Sequence, residues 1–151
     1  RGLLRAGRLD ELGRMMNLSH DGDRVARLAA DGTMKPHEWH TGDAELRLLV
    51  ADLQSELPER VERAQLYRQP GGYACSVPEI DFMVDLALAT PGVLGAQLSG
   101  AGLGGCMMVL CRADAVDRLN RRMAKEFYKP RGLKLDATVC SPIEGSGLLS
   151  V

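Results

Sequence analysis

Two short apolar segments joined by a glycine-rich link constrain the fold of this chain more than any other feature. Val93–Ser99 and Cys106–Cys111 have the length and composition of β-strands, and Gly100–Gly105 forms a tight loop between them. Strands joined by so short a connection pair antiparallel. The second segment is dominated by apolar residues, so it is predicted to be buried on both faces.

Helical patterns flank this pair of strands. Ser76-Val77-Pro78-Glu79 fits a capping box, and a helix is predicted from there to Ala89. A second amphipathic helix is predicted from Val116 to Phe127, and Leu135–Cys140 is predicted to be the last strand. The order helix, strand, strand, helix, strand predicts an α+β fold, in which an antiparallel sheet is covered by helices on one face and additional helices precede it.

The first half of the chain carries weaker patterns. Apolar residues at helical spacing predict one surface helix over Leu3–Leu18 and another over Leu46–Leu57. Residues 19–43 between them contain several helix breakers, which predicts a loop-rich stretch with a short helical patch at Arg24–Ala30. A further short segment follows at Glu59–Tyr67.

Composition excludes several classes of protein. The 151 residues suit one globular domain, since 45% are apolar and 26% are charged. The net charge of −1 gives no field that would attract nucleic acid, and no apolar run is long enough to cross a membrane or to act as a signal peptide. The four cysteines lack metal-ligand spacing and are predicted to be reduced, buried thiols. We therefore expect a cytoplasmic protein that binds neither nucleic acid nor membranes.

The glycine-rich loop is the segment of the chain that is best suited to bind a ligand. Closely spaced glycines allow positive φ angles, and consecutive backbone N–H groups can then form a concave site for phosphate oxygens. The loop contains the pattern G-x-G-x-x-G, but a strand follows it instead of a helix, which argues against a dinucleotide site. No Lys-Ser or Lys-Thr follows, so it is not a Walker loop. A phosphate-binding loop and a merely structural hairpin both remain open.

Other polar residues are predicted to be structural. His37, Glu38 and His40 lie near Asp43 in a polar segment, but their spacing fits no standard zinc pattern, so no metal site is predicted. His20 is expected to be a capping or hydrogen-bonding residue, with a role near a cleft as the alternative. Trp39 stands without the basic and aromatic neighbours that base stacking requires.

The remaining charged residues are also predicted to be structural. Glu79 and Asp81 lie in a first helical turn, where a carboxylate stabilises the helix. A solvated helix face explains the basic residues Arg118, Arg121, Arg122 and Lys125. No catalytic residue is predicted in this chain.

The glycine loop and its flanks resemble a known family. Gly-Ala-Gln-Leu-Ser-Gly-Ala-Gly-Leu-Gly-Gly-Cys at 95–106 resembles the C-terminal glycine-rich motif of the GHMP small-molecule kinases, in the form found in galactokinases. Ser-Val-Pro-Glu-Ile-Asp at 76–81 is similar to the helix start that precedes this motif, and Met-Asn-Leu-Ser-His at 16–20 is similar to an upstream motif. The tail, Cys140–Leu148, resembles the closing strand and turn of the same family.

The resemblance implies a fold and a function. Residues 1–151 would form a ferredoxin-like GHMP kinase C-terminal domain with an insertion at 21–72, and the catalytic N-terminal half would be absent from this chain. The whole enzyme would transfer phosphate from ATP, with Mg²⁺, to a monosaccharide hydroxyl, typically the anomeric one.

The same resemblance assigns roles within the chain. Residues that contact substrate or ATP phosphate would be Ser99, Gly100, Ala101, Gly102, Gly104 and Gly105. ATP and Mg²⁺ would be bound mainly by the N-terminal kinase domain, which is the expected partner, and the chain alone would be inactive. The alternative is a non-catalytic α+β domain that binds a ligand or regulates another protein.

Overall fold

A computed structural model describes residues 2–37, 41–102 and 104–140 of the chain. It contains helices and short strands in a mixed order. The elements are α1 (Gly2–Arg5), α2 (Leu9–Asp23), β1 (Ala26–Leu28), β2 (Met34–Pro36), α3 (Asp43–Leu53), α4 (Pro58–Arg63), α5 (Pro78–Leu88), β3 (Val93–Ser99), β4 (Cys106–Cys111) and α6 (Val116–Met123). The last helix continues through a π-helical turn and a 3₁₀ turn to Arg131.

The α+β class and the antiparallel pairing are confirmed. β3 pairs antiparallel with β4, with Ser99 opposite Cys106, and a register shift between Val93 and Gly95 marks an irregularity at the start of β3. β1 pairs antiparallel with β2 in a second sheet. Each sheet has two strands in the described part of the chain, and helices contact one outer edge of each sheet.

Helix side chains accept hydrogen bonds from the outer edges of both sheets. The N–H groups of Ala96 and Leu98 in β3 donate to Asn17 Oδ1 (2.9 Å) and His20 Nδ1 (3.2 Å) of α2. Because alternate residues of a strand direct their N–H groups to the same edge, α2 takes the place of a third strand.

The edge of β1 is satisfied in the same way by α5. The backbone N–H groups of Val25, Ala26 and Leu28 donate to the carboxylates of Asp81 and Asp85, which are one helical turn apart. α5 thereby connects the two sheets, because it also packs against β3.

The core lies between α5, β3 and α6. Its buried members are Ile80, Met83, Val84, Leu86, Ala87, Ala96, Leu98, Leu119, Met123 and Phe127. Helical spacing predicted Ile80, Met83, Val84 and Ala87 on this face, and all four are buried. Leu88 was predicted with them but is 37% exposed, and Leu86 is buried instead. The predicted helix 77–89 and the predicted helix 116–127 are thus confirmed in place and in orientation.

A close backbone contact brings α2 against β3. A Cβ atom on Gly13 would lie 2.2 Å from the carbonyl oxygen of Leu94, and one on Gly95 would lie 2.5 Å from the Cα of Gly13. No side chain fits at either position. The two glycines let α2 approach closely enough for Asn17 and His20 to reach the strand edge.

Two predictions for the first half are wrong. The helix expected over Leu3–Leu18 is divided at Gly7, which has a φ of +67°, and its second part extends to Asp23. The helical patch expected at Arg24–Ala30 is instead β1. Carboxylates from α5 accept the N–H groups of this segment, and that tertiary contact overrides the local preference.

Three predictions for the second half are also wrong. Ser76 does not cap α5, since Val77 occupies the N-cap position and the Ser76 hydroxyl is buried beside Asp81. β4 is not buried on both faces, because Cys106 and Met108 are exposed on a sheet of two strands. The predicted strand Leu135–Cys140 is exposed and pairs with no strand within the described ranges.

Residues 21–72 contain a pair of antiparallel strands followed by a pair of packed helices. β1 and β2 are joined by a turn at Gly32, and α3 and α4 pack against each other. Asp52 of α3 is buried and binds Arg60 and Arg63 of α4 through its two carboxylate oxygens. Among the helices that the structure describes, none is long and apolar enough to span a membrane.

Candidate functional site

The candidate site is the glycine loop, Ser99–Gly105, which connects β3 to β4. Four of its glycines have positive φ angles of +87° to +100°: Gly100, Gly102, Gly104 and Gly105. Residues with a Cβ atom rarely adopt this conformation. The glycines are therefore required by the path of the backbone, and Leu103 lies outside the described residues.

One glycine anchors the loop to the body of the domain. A Cβ atom on Gly102 would lie 2.1 Å from the carbonyl oxygen of Cys75. The segment that contains Cys75 is itself held to the end of α2, since the Ser76 N–H donates to the Asp23 carbonyl at 2.8 Å. The loop is thus packed against the chain that leads into α5.

The remainder of the loop is open. Gly100, Ala101 and Gly105 are exposed, and Ser99, Gly102 and Gly104 are half-buried. A Cβ atom on Gly100, Gly104 or Gly105 would meet no atom within 4 Å. Apart from the β3–β4 ladder, the described residues offer no backbone acceptor to the N–H groups of Gly100, Ala101, Gly102, Gly104 and Gly105. These donors are available to a ligand.

A buried pair of side chains lies beneath the strand that leads into the loop. His20 is 1% exposed, and its Nδ1 accepts the N–H of Leu98, one residue before Ser99. Its proton is therefore on Nε2, which lies 3.1 Å from Oδ1 of the fully buried Asp81. The Nε2–H is not aligned closely enough with this oxygen to form an ideal hydrogen bond.

The charge on Asp81 is stabilised by its surroundings. Burial by itself raises the pKa of the Asp81 carboxyl. Contacts with His20, Ser76 and the backbone N–H groups of Val25 and Ala26 outweigh burial and hold this pKa below its ordinary value. Asp81 thus remains a carboxylate that joins α2, β1 and α5 behind the glycine loop.

The polar segment around His37 was the other candidate for a site. Within residues 2–37, 41–102 and 104–140, no group of three metal-ligating side chains is present. Glu38, Trp39 and His40 lie outside the described residues, as does the tail from Ser141. Glu79 is exposed at the start of α5, as its interpretation as a helix-stabilising residue predicts.

Two of the four basic residues on α6 are not merely solvated. Arg122 donates to the carbonyl oxygen of Ala89 at 2.7 Å, and Arg118 donates to that of Pro91 at 3.3 Å. These guanidinium groups satisfy carbonyl oxygens at the C-terminal end of α5 and just beyond it. Arg121 and Lys125 are exposed, as predicted.

Sequence reasoning missed how the site is supported. Asn17 and His20 are three residues apart and therefore lie on one face of α2, which was the available signal. Nothing in the sequence showed that this face meets β3, because the contact depends on Gly13 and Gly95, which are distant in the chain.

These features define a class of protein. An α+β domain that presents unpaired N–H groups on a glycine loop between two strands is suited to bind an anion such as phosphate. Residues 49–129, more than half of the chain, match the family model described as "GHMP kinases C terminal". The chain therefore belongs to the GHMP kinase family and carries its C-terminal domain.

A curated relative agrees with the family. The chain is 40% identical over 79 residues to a galactokinase of Chloroflexus aurantiacus. The matched segment is 52% of this chain and 20% of that protein. The similarity therefore spans about a fifth of the relative's length.

Proposed function

We propose that this chain is the C-terminal part of a galactokinase-like sugar kinase, which transfers a phosphoryl group from ATP to a monosaccharide hydroxyl, the anomeric one being preferred. The single observation that supports this most strongly is the set of unpaired N–H groups on the glycine loop. The similarity to a galactokinase supports the choice of a sugar as acceptor.

The chain's own residues would act by holding backbone N–H groups, with their dipoles, in fixed positions around the phosphate. Phosphoryl transfer requires fixed donors around the oxygens of the transferred group and little covalent chemistry from the protein. Backbone N–H groups from Gly100 to Gly105 would donate to phosphate or substrate oxygens, with the Ser99 hydroxyl beside them. The contact between Gly102 and Cys75 would hold the middle of the loop in place before a ligand binds, which would reduce the entropy lost on binding.

The loop fits ATP phosphate better than it fits a metal ion. It offers N–H donors, which bind anions, and its exposed glycines leave room for a ligand to approach the backbone. Carboxylates for Mg²⁺ are expected in the N-terminal half of the kinase, which we propose as the partner of this domain. When bound, Mg²⁺ would neutralise part of the negative charge on the phosphates.

The experiment measures phosphorylation by the intact protein that contains this chain. ATP is offered with a panel of aldohexoses, and the product is examined by phosphorus and proton NMR for a phosphate on the anomeric carbon. We expect ATP-dependent phosphorylation of one or a few sugars. The 151-residue chain alone is expected to give no turnover, and turnover from it alone would contradict the proposal.

Two glycine variants test the role of the loop. Gly104→Ala strains a positive φ of +100° in the loop, and Gly32→Ala strains a positive φ of +81° in the remote β1–β2 turn; neither Cβ would meet an atom within 4 Å. We expect Gly104→Ala to lower kcat/KM by about tenfold or more and Gly32→Ala to leave it unchanged. Equal effects, or binding of sugar without phosphorylation of any panel member, would favour the non-catalytic alternative.

A further inference from the structure

Helix α3 has little contact with the rest of the chain. It is 11 residues long, and Asp52 is its only buried residue. Among the described elements it packs chiefly against α4, which has six residues. Isolated helices of this length are marginally stable in water, so most helices of this size depend on burial of an apolar face.

The contact between α3 and α4 is polar. The carboxylate of Asp52 binds the guanidinium groups of Arg60 and Arg63, whose hydrogen bonds lower the pKa of the Asp52 carboxyl. Ion pairs hold the helix hairpin in shape while its leucines remain outside. An arrangement of this kind prepares an apolar surface for a partner, because the hairpin is ordered before binding.

Apolar residues of α3 form a stripe that is exposed except at Leu49, which is half-buried. At about 100° per residue, Leu46, Leu49, Val50 and Leu53 lie within one face of the helix, and Leu48 lies nearly opposite. Leu46 is 48% exposed, Val50 is 52% exposed and Leu53 is 47% exposed. Asp52, which binds α4, lies to one side of this face next to Leu49, and the rest of the face stays exposed.

The stripe can pack against the same stripe on a second copy of the chain. When two copies of α3 pair antiparallel about a twofold axis between Leu49 and Val50, Leu46 meets Leu53 of the second copy and Leu49 meets its Val50. The helix dipoles are then antiparallel, which is the favourable orientation. We propose that the stripe on α3 is a surface through which two copies of this chain associate. This proposal is independent of the kinase activity.

The area is sufficient for a weak dimer. The stripe and the neighbouring Leu57, which is 51% exposed, present roughly 300 Å² of apolar side-chain surface. With the usual share of polar rim, the interface covers roughly 500 Å² per copy, or about 1,000 Å² in total. This is the lower limit for a specific interface, and it corresponds to reversible association at micromolar concentrations.

The test is the oligomeric state of the intact protein measured by sedimentation equilibrium. We expect a mass that rises from one copy to two as the concentration increases, with a Kd on the order of 10 µM. Val50→Lys is expected to raise this Kd at least tenfold, because it places a charge at the centre of the stripe. Leu46→Lys is a second variant with the same expectation.

The matched control lies on the same helix. Leu48→Lys replaces a more exposed leucine, 66% exposed, on the opposite face, and should change the Kd less than twofold. Lysine is a good helix former, so circular dichroism should show unchanged helix content in all three variants. A wild-type protein that stays monomeric up to about 500 µM would overturn the proposal. An equal effect of Leu48→Lys and Val50→Lys would also overturn it.

Discussion

His20 Nδ1 accepts the backbone N–H of Leu98 at 3.2 Å, a contact that joins two residues 78 positions apart. The bond supplies an acceptor for a buried N–H group on the outer edge of β3, immediately before the glycine loop. On its other side the imidazole ring faces Asp81. Removal of this one ring therefore leaves a buried N–H without an acceptor and a buried carboxylate without its neighbour.

We expect His20→Ala to lower the free energy of unfolding by about 3 kcal/mol, since both unsatisfied groups are buried. Urea denaturation measures this change, and hydrogen exchange of the Leu98 amide should become faster than in the wild type. Ser19→Ala, at the exposed neighbouring position of α2, is the control and should change neither quantity. Unchanged exchange at Leu98 in His20→Ala would contradict the assigned hydrogen bond.

The stability of the domain should fall in acid because of Asp81. The pKa of this carboxyl is lower in the folded protein than in the unfolded chain, so the folded state favours the charged form. The stabilisation is complete above the ordinary pKa of about 4 and is lost as pH falls through the lower, folded value. Urea midpoints between pH 7 and pH 3 measure this loss.

Substitution of Asp81 measures how much its carboxylate contributes to stability and to the dependence of stability on pH. Asp81→Asn should be less stable at pH 7 by about 3 kcal/mol, and its stability should depend less on pH in the acid range. Glu79→Gln changes an exposed carboxylate two residues earlier and should retain the pH dependence of the wild type. If the unfolding curves of Asp81→Asn and wild type shifted in parallel with pH, another group would be responsible.

The sequence identified the elements with local signals and failed where distant contacts decide the structure. α5, β3 and α6 were predicted because their apolar periods and terminating glycines are contained within each segment. β1 was mistaken for a helix because its N–H groups are satisfied by Asp81 and Asp85, more than 50 residues away. Composition alone could not indicate that pairing.

In the candidate site, too, the local features were predicted and the distant contacts were not. The glycine pattern predicted a loop with positive φ angles, and four glycines adopt them. The contact between Gly102 and Cys75 could not be predicted, because it depends on how the segment that precedes α5 returns to the end of α2. The catalytic chemistry of a sugar kinase lies beyond what this loop alone encodes.

At Gly13, replacement of glycine by alanine should destabilise the protein, although this substitution normally stabilises helices. Alanine in place of glycine within a helix usually adds about 1 kcal/mol to stability. At this position the new Cβ would lie 2.2 Å from the carbonyl oxygen of Leu94, so α2 would have to move away from β3. We expect Gly13→Ala to lower the free energy of unfolding by about 2 kcal/mol or more.

The control is a helical glycine with open space around it. A Cβ atom on Gly2 of α1 would meet nothing within 4 Å, so Gly2→Ala should be neutral or slightly stabilising. Thermal denaturation compares the two variants. A Gly13→Ala protein as stable as Gly2→Ala would show that α2 does not approach β3 so closely.

The four thiols should react at two distinct rates. The sequence predicted buried cysteines, but Cys106 and Cys140 are exposed, and only Cys75 and Cys111 are half-buried. Burial raises the pKa of both half-buried thiols, and for Cys75 the nearby Asp23 carboxylate, 3.4 Å from Sγ, raises it further. Because the thiolate is the reactive form, these two react slowly near neutral pH.

An aromatic disulfide reagent at pH 7.5 should therefore modify two thiols quickly and two slowly in the native protein, and all four quickly in urea. Cys106→Ser should remove one fast thiol, whereas Cys75→Ser should remove one slow thiol and leave the fast amplitude unchanged. The slow rates should increase as pH rises toward the elevated pKa values, because the thiolate fraction of Cys75 and Cys111 then grows. Loss of fast amplitude in Cys75→Ser would mean that Cys75, which contacts Gly102 beneath the loop, is not shielded by that contact.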